Sequence, residues 1–339
     1  MKFYCSYPPG GEKNPFFLLL SKHLISNDWA QKTFNFKIYN LFRFRKEVKI
    51  LWFHWPNSHW RSKFFLIKFI KIIRFFIYIY LASFLGYKLI WSAHNVLPHS
   101  HFNSKLELLL RRIFVRKQDL VIGHAKNTYR MLINKGIFAK KYILALHGNY
   151  EDYYNSFDLK INRTSLGFSE KDIILLLNSG GKNYKDALVF IKIFLKNKYT
   201  NIKLLVYGKD IMSQIDVVNH NDIKFVGGFL SNEKISSFMQ LCNYVVLPYR
   251  QITTSGAFFL SITFDKPVIA QNIDFFLQHV TDDTAVLYNS DEELIFKLKQ
   301  IDSSLLKINS NNLSELKKKY SWHKSSKIIA REFNQLISY

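Results

Sequence analysis

The sequence predicts an α/β protein with two parallel sheets, each covered by helices on both faces. Short continuous apolar runs, which are typical of fully buried strands, alternate with amphipathic helical patterns along all 339 residues. This alternation indicates parallel strands joined by crossover helices. The length suits two domains of ordinary size, and the polar segment 151–163 is the best boundary between them.

The predicted elements follow one another as strand, helix, strand. In the first half we expect strands at 2–6, 48–54, 88–94, 119–124 and 142–147. In the second half we expect them at 172–178, 202–207, 223–226, 244–247, 267–270 and 285–288. Helical patterns cover 15–25, 105–115, 128–135, 187–195, 233–241 and 292–300. Two sheets of this kind account for most of the chain.

The stretch 247–270 holds the best candidate for a ligand site. The turn Thr253-Thr254-Ser255-Gly256 lies where a short apolar helix begins, between two buried strands. Its hydroxyls can cap the first helical amides, and its glycine lets another group approach the backbone. Free amides and the positive end of the helix dipole attract anions at such a position. The same residues also fit an ordinary strand–turn–helix connection.

Four predicted strands of the first half end in histidine, namely His54, His94, His124 and His147. Functional groups in open parallel sheets gather beyond the carboxyl ends of the strands. These imidazoles are therefore candidates for catalysis or binding, although each also fits a strand-end histidine that is bonded to backbone.

The turn after the first predicted strand, at 7–15, contains Gly10 and Gly11. Its amides can face a phosphate or a sugar, but a turn rich in Gly and Pro is common between a strand and a helix.

The turn after the first strand of the second half, at 178–185, carries two glycines and two cations. These are Gly180, Gly181, Lys182 and Lys185. Two lysines beside a helix N-terminus can stabilise the charge of a diphosphate leaving group. Either lysine alone fits solvated surface.

The positive charge is concentrated in the N-terminal half. Residues 1–150 hold 25 Lys and Arg against 5 Asp and Glu, whereas the remainder holds 23 against 20. A basic body suits nucleic acid, an anionic membrane surface or a pyrophosphate-bearing ligand. Cys5 and Cys242 are expected to be buried free thiols in a reducing cytoplasm, and no secretory signal is expected before the first strand.

The longest apolar stretch, 64–91, is interrupted by Lys68, Lys71 and Arg74. Only 75–86 is uncharged, which is too short to span a bilayer. The three cations recur at every third residue and therefore share one side of a helix. This pattern fits an amphipathic helix in the cytoplasmic membrane interface, a buried crossover helix with a basic edge, or both together.

A set of short sequence marks follows in order along the chain. They are HWP at 54–56, WSAHNVLPH at 91–99, HGNYEDYY at 147–154, GGKNYK at 180–185, LLVYGK at 204–209, FVGGFLSNEKI at 225–235 and LPYR…TTSGAFF…KPVIA within 247–270. Together they resemble the GT-B glycosyltransferases, and more specifically bacterial polysaccharide enzymes related to family 4. The resemblance implies two Rossmann-like domains facing across a cleft. An acceptor domain would cover 1–155, joined by a terminal helix at 320–339, and a nucleotide-sugar donor domain would cover 156–319.

The resemblance also implies roles for particular residues. Those expected to bind the donor are Lys182, Lys185, Gly180, Gly181, Ser255, Gly256, Thr254, Gly228, Phe229, Tyr249 and His147. Those expected to bind the acceptor are Gly10, Gly11, Asn14, Asn95 and His99. His94 matches a histidine at the sugar-transfer centre.

The chain departs from family 4 at one motif. Retaining members carry Glu-x7-Glu around the phosphate turn, and those positions are Ile252 and Leu260 in this sequence. The TTSG form resembles inverting GT-B enzymes such as β-mannosyltransferases of lipid-linked oligosaccharide assembly. Inversion needs a general base, and His94 is the first choice, with Glu12 and His54 behind it.

The sequence thus predicts an inverting hexosyltransferase that uses a nucleotide diphosphate sugar, UDP- or GDP-linked, and no other cofactor. We expect a lipid-linked or growing glycan acceptor, in bacterial capsule or lipopolysaccharide synthesis. The enzyme would lie on the inner face of the cell membrane, held to anionic lipid by its basic domain. No metal is expected, since Asp-x-Asp is absent from the sequence. The alternatives are a non-catalytic GT-B scaffold that binds a partner glycosyltransferase and a nucleic-acid-binding protein, for which no reading motif occurs.

Overall fold

The computed structural model describes residues 1–8, 14–97, 104–155, 157, 161–179, 184–208, 220–228 and 230–338, without the side chains of 104, 184 and 185. The chain divides into two compact units. Unit 1 comprises Met1–Gly148 and Ser321–Tyr339, and unit 2 comprises Asn149–Tyr320.

Unit 1 is built on one parallel sheet of six strands. They are β1 (Lys2–Tyr7), β2 (Trp29–Gln31), β3 (Val48–Phe53), β4 (Lys88–Ser92), β5 (Leu120–Gly123) and β6 (Tyr142–Leu144). The helices between them are α1 (Pro15–Ile25), α2 (Ile38–Phe44), α3 (Phe65–Phe84), α4 (Ser104–Arg116) and α5 (Thr128–Asn134), and a 3₁₀ turn covers Pro56–His59. The C-terminal helix Trp322–Ile337 packs beside α1.

The strand order in unit 1 is β2-β1-β3-β4-β5-β6. The chain direction across the sheet therefore reverses between β1 and β3, which is where open α/β sheets bind ligands. At this point the amide of His54 donates a hydrogen bond of 2.9 Å to the carbonyl oxygen of Tyr7. The ends of β1 and β3 are thereby held together at the carboxyl edge.

Unit 2 contains the second parallel sheet of six strands. They are β7 (Ile173–Asn178), β8 (Ile202–Gly208), β9 (Ile223–Gly227), β10 (Tyr244–Leu247), β11 (Val268–Gln271) and β12 (Ala285–Tyr288). Its helices are α6 (Glu151–Tyr154), α7 (Tyr184–Leu195), α8 (Asn232–Leu241), α9 (Gly256–Thr263), α10 (Asp274–Leu277), α11 (Asp291–Asp302) and α12 (Ser310–Lys319), with a 3₁₀ turn at Thr164–Leu166. The C-terminal helix of unit 1 is then α13.

The strand order in unit 2 is β12-β11-β10-β7-β8-β9. This is the doubly wound order of a dinucleotide-binding fold, with its reversal between β7 and β10. The α/β class and the two parallel sheets predicted from the sequence are confirmed. The sheet of unit 1 also has an edge strand, β2, that the sequence reading missed.

Helix α3 has an inner side that packs on unit 1 and an outer side that is apolar and exposed. Phe75 and Ile79 enter the core of unit 1. On the same side, Lys68 pairs with Glu107 at 3.1 Å, and Lys71 donates to a backbone carbonyl. The outer face of α3 is a continuous apolar stripe formed by Leu66, Ile70, Ile73, Ile77, Tyr80 and Phe84, all exposed. Of the three cations expected to share one side, Lys68 and Lys71 are partly buried against the protein, whereas Arg74 is exposed.

Candidate functional site

The switch point of unit 2 brings the ends of β7 and β10 side by side. Val245 and Val246 of β10 pair in parallel register with Leu176 and Leu177 of β7, so both strands end at the same level. The segment after β10 runs through Tyr249 to Ser255 and starts α9. A ligand bound in this crevice would therefore meet the first turn of α9.

The first turn of α9 has the structure of a capped helix start with free donors. The Ser255 hydroxyl accepts a hydrogen bond of 3.2 Å from the Phe258 amide, and the Ser255 carbonyl accepts one from Phe259. The amides of Gly256 and Ala257 make no hydrogen bond to another described residue. Free N–H groups and the positive end of a helix dipole are the features that attract an anion, and here they lie at the carboxyl edge of the sheet.

Hydroxyl side chains surround this helix start. Burial raises the pKa of Tyr249 to about 12, with an opposing effect of the Ser255 hydroxyl beside it. The phenol of Tyr249 is therefore a neutral donor at physiological pH. The Thr254 hydroxyl is buried and has no hydrogen-bond partner among the described residues. A methyl group at Gly256 would lie 3.1 Å from the Tyr150 hydroxyl, so glycine keeps this approach open.

Several predicted site residues lie outside the described residues. These are Gly180, Gly181, Lys182, Phe229, Gly10, Gly11, Glu12 and His99. The backbone of Lys185 belongs to the first turn of α7, which follows β7. Gly228 has φ +92° and follows β9, which lies two strands away from β7.

The four predicted histidines of unit 1 meet in one cluster, which we call the histidine array: His54, His94, His124 and His147. All four are buried, with His94 at 5% exposure. The ring of His94 stacks on His124 at 4.8 Å and on His54 at 5.2 Å. Four strand ends thus contribute to one site, as the sheet rule predicts.

Aromatic rings to which the sequence analysis gave no functional role enclose the array. The ring of Phe16 lies 4.8 Å from His94, and that of Trp55 stacks on His94 at the same distance. The indole of Trp322, on α13, packs against His147 at 4.9 Å. Trp55 belongs to the HWP mark and follows His54 directly, whereas no local signal connects Trp322 with residues far away in the chain.

A hydrogen-bonded chain fixes the tautomer of His124. The Trp52 indole donates to the Ser92 hydroxyl at 2.9 Å, and this hydroxyl lies 3.0 Å from Nε2 of His124. The other ring nitrogen, Nδ1, lies 2.8 Å from the carbonyl oxygen of Ala145 and must carry the proton. Nε2 then accepts from Ser92, so His124 is held as the neutral Nδ1–H tautomer.

His94 and His54 share one hydrogen bond. Nδ1 of His54 lies 2.9 Å from Nε2 of His94. Nε2 of His54 is buried without a partner in the described part of the chain. Nδ1 is then the ring nitrogen of His94 that has no hydrogen-bond partner among the described residues.

The array is uncharged at neutral pH. Burial, with additional repulsion between the rings, lowers the pKa of His54 and His94 well below 6.5. Burial lowers the pKa of His124 to about 4 and that of His147 to about 3. No group of three or more His, Cys, Asp or Glu within the described ranges is arranged to hold a metal ion.

Two predicted acceptor residues flank the array. The Asn14 side chain accepts a hydrogen bond of 3.1 Å from the Phe16 amide and so caps α1. This cap fixes the start of the helix whose Phe16 ring covers the histidines. Asn95 follows His94 and is half-buried.

Neither a protein-family model nor a curated protein sequence matches the chain. Solved structures match it over almost its whole length. HepE from Anabaena, solved with UDP and glucose, has a TM-score of 0.72 and 15% identity over 99% of this chain and 100% of its own. Sucrose-phosphate synthase from Thermosynechococcus elongatus has a TM-score of 0.70 and 13% identity over 100% of both chains.

A third similar structure is WaaG, described as a glycosyltransferase involved in lipopolysaccharide biosynthesis. Its TM-score is 0.63 at 13% identity, over 97% of this chain and 98% of WaaG. At these identities the likeness establishes the fold. The chain has the GT-B fold of two Rossmann-like domains, as the sequence marks implied.

Proposed function

We propose that the chain is a glycosyltransferase that moves a hexose from a nucleotide diphosphate sugar to a lipid-linked or growing glycan in cell-surface polysaccharide synthesis. The crevice between β7 and β10 carries this proposal, because its strand order and the free amides at the start of α9 suit a diphosphate. The fold alone would not suffice, since one fold serves many functions. The UDP found in the HepE structure supports a uridine nucleotide as the first donor to test.

Within this proposal, unit 2 binds the donor. The amides of Gly256 and Ala257 would face the diphosphate, and Lys182 and Lys185 would add positive charge from the turn after β7. Tyr249 lies beside the same helix start. These groups would neutralise the leaving group without a metal, so a chelator should leave the transfer rate unchanged.

A thermal-shift panel of UDP, GDP, dTDP, CMP and their sugars tests the donor site, because a ligand stabilises in proportion to the logarithm of its concentration over Kd. Ser255→Ala should abolish most of the UDP shift. Ser290→Ala is the matched control, since Ser290 caps α11 in the same way at the far side of the sheet. The proposal fails if no nucleotide stabilises the protein, a result that favours the non-catalytic scaffold. An unchanged UDP shift in Lys182→Ala/Lys185→Ala would show that the two lysines do not bind the donor.

We propose that unit 1 binds the acceptor and that His94 is the general base of an inverting transfer. In the tautomer that donates from Nε2 to His54, Nδ1 of His94 has a free lone pair for the acceptor hydroxyl proton. His54 would then stabilise the cation that forms. Burial opposes that cation in the resting enzyme, so His94 is fully deprotonated and available at neutral pH.

Product stereochemistry and two variants test this mechanism. His94→Gln should lower kcat by about two to three orders of magnitude while the UDP shift is kept. His54→Gln should lower kcat less, since it acts through His94. A retained anomeric configuration would refute the inverting proposal. If His94→Gln kept full activity, the general base would have to be another group, and Glu12 would be the first to test.

We further propose that the enzyme binds the inner face of the cell membrane through α3. No helix in the described ranges has both the length and the apolar character needed to cross a bilayer. The exposed stripe instead suits insertion between lipid head groups, with Arg61 and Lys63 at its N-terminal end positioned for anionic phosphates. Ile70→Ser/Ile77→Ser should reduce co-sedimentation with vesicles containing phosphatidylglycerol. Unchanged sedimentation would refute this part.

A further inference from the structure

A cavity of about 450 Å³ lies at the carboxyl edge of the sheet of unit 1, beside α3. Residues from four segments line it, among them Tyr7, Pro8, Lys37, His59, Arg74 and Tyr78. Tyr7 ends β1 and its carbonyl binds the His54 amide, so the cavity and the histidine array share one strand end. It therefore lies at the switch point between β1 and β3.

The cavity is positively charged. Arg74 and Lys37 stand exposed at its rim, and neither forms an ion pair within the part of the chain that the structure describes. No carboxylate is among the described residues that line it. Two unneutralised cations around a concave site attract an anion, and an arginine can hold two phosphate oxygens at once.

The inner wall of the cavity is aromatic and contains an unused polar atom. His59 stacks on Phe75 at 5.0 Å, and its Nε2 is buried with no hydrogen-bond partner among the described residues. Burial, and to a smaller extent Arg74, lowers the pKa of His59 to about 4. The neutral imidazole can therefore donate or accept one hydrogen bond at the inner end of the site.

The apolar stripe of α3 begins at the rim of this cavity. Arg74 and Tyr78 are one helical turn apart and both line the cavity. Ile70 and Ile77 lie four residues before and three after Arg74, which makes them its direct neighbours on the helix surface, and both are exposed. A cationic pocket thus opens directly onto the apolar part of the stripe formed by Ile70 and Ile77.

We infer that this cavity binds the phosphate or diphosphate head of a lipid, whose chain lies along the Ile70 and Ile77 side of α3. The inference rests on the proposed function, in that such a lipid would be the carrier of the acceptor sugar. A soluble phosphate would contact the cations but not the apolar stripe. Substitutions in the stripe can therefore distinguish a lipid phosphate from a soluble one.

The test is calorimetric titration of the full chain with three probes, farnesyl diphosphate, farnesol and inorganic pyrophosphate, with excess UDP present to occupy the crevice of unit 2. Farnesyl diphosphate should bind at least tenfold more tightly than either of the other probes. Arg74→Gln and Lys37→Gln should each weaken its binding about tenfold. Ile70→Ser should weaken binding of farnesyl diphosphate but not of pyrophosphate.

Arg116→Gln is the matched control, because Arg116 is an exposed arginine at the C-terminal end of α4 and has no part in the cavity. Wild-type affinity for farnesyl diphosphate in Arg74→Gln/Lys37→Gln would overturn the inference, and so would equal affinities for farnesyl diphosphate and pyrophosphate. The UDP thermal shift of the same proteins separates the two proposals. If the wild type shows the UDP shift and Arg74→Gln/Lys37→Gln keeps the wild-type affinity for farnesyl diphosphate, only the inference about the cavity is refuted. If the wild type shows no UDP shift, the proposed donor site in unit 2 is refuted, and the lipid titration still tests the cavity.

Discussion

Acid should unfold unit 1 because the histidine array must remain uncharged to stay buried. The pKa of His124 is about 4 and that of His147 about 3 in the folded unit. In the unfolded chain both titrate near 6.5. Between pH 6.5 and about 4 the unfolded state therefore binds more protons than the folded state, and the free energy of unfolding falls as the pH falls.

The size of this effect follows from the same values. At pH 5 each of the two histidines has lost about 2 kcal/mol of its contribution, or about 4 kcal/mol for the pair. His54 and His94, whose pKa values are also lowered, act in the same direction. A domain is commonly stable by about 5 to 15 kcal/mol, so unit 1 should come close to unfolding near pH 5. Above about pH 7.5, where the histidines of the unfolded chain are also uncharged, the array should add almost no pH dependence.

Tryptophan fluorescence during urea unfolding measures this effect in unit 1 alone, because all six tryptophans lie in that unit. His124→Gln keeps an acceptor for Ser92 and removes one titrating group. Between pH 6 and 4.5 its unfolding free energy should fall less steeply than that of the wild type, by about 1.4 kcal/mol per pH unit. His323→Gln, an exposed position on α13, is the control and should keep the wild-type slope. A wild-type slope in His124→Gln would refute the reasoning.

Three further predictions concern contacts within unit 1 or within unit 2, and thermal unfolding measures each of them. Gly148→Ala should lower the free energy of unfolding of unit 1 by about 2 kcal/mol, because the added methyl group overlaps the Trp322 indole. In a Trp322→Leu background the same substitution should lower it much less. Glu107→Gln should lower the free energy of unfolding of unit 1 by about 3 kcal/mol, because it leaves the partly buried Lys68 ammonium without its carboxylate. A loss no larger than that caused by substituting an exposed glutamate would count against this ion pair. Asp302→Asn should lower the free energy of unfolding of unit 2 by about 2 kcal/mol, because the Asp302 carboxylate accepts hydrogen bonds from three consecutive amides at the start of β8. Circular dichroism measures this loss, and an unchanged stability would show that water replaces the carboxylate.

Local sequence patterns were enough to predict most of the fold. Helix α1 was predicted with its observed limits, since Asn14 caps it and Pro15 starts it. The edge strand β2 has three residues, too few for an apolar run to be recognised. The orientation of α3 could not be predicted from its cations, because the inward position of Lys68 depends on its ion pair with Glu107, which lies 39 residues further on.

The candidate site was predicted in part. Strand ends identified the histidines, because parallel strands place their carboxyl ends at one edge. The sequence did not show that His54 and His94 bind each other, since only the lateral order β3-β4 brings them together. It also gave no sign of the cavity beside Arg74, which is assembled from four separate segments.

The geometry of unit 1 separates positive charge from the atoms proposed to move the proton. The cations at the cavity, Arg74 and Lys37, are exposed, whereas the array is buried, and this burial lowers its pKa values and keeps it neutral. A permanent cation beside Nδ1 of His94 would oppose proton uptake from the acceptor hydroxyl, because like charges repel most strongly at low dielectric. Anionic lipid and proton acceptor thus require opposite electrostatic surroundings, and unit 1 provides both at one sheet edge. Phe16→Lys, which would place an ammonium against the array, should therefore reduce kcat more than it reduces binding of farnesyl diphosphate, and an equal loss of both would contradict this separation.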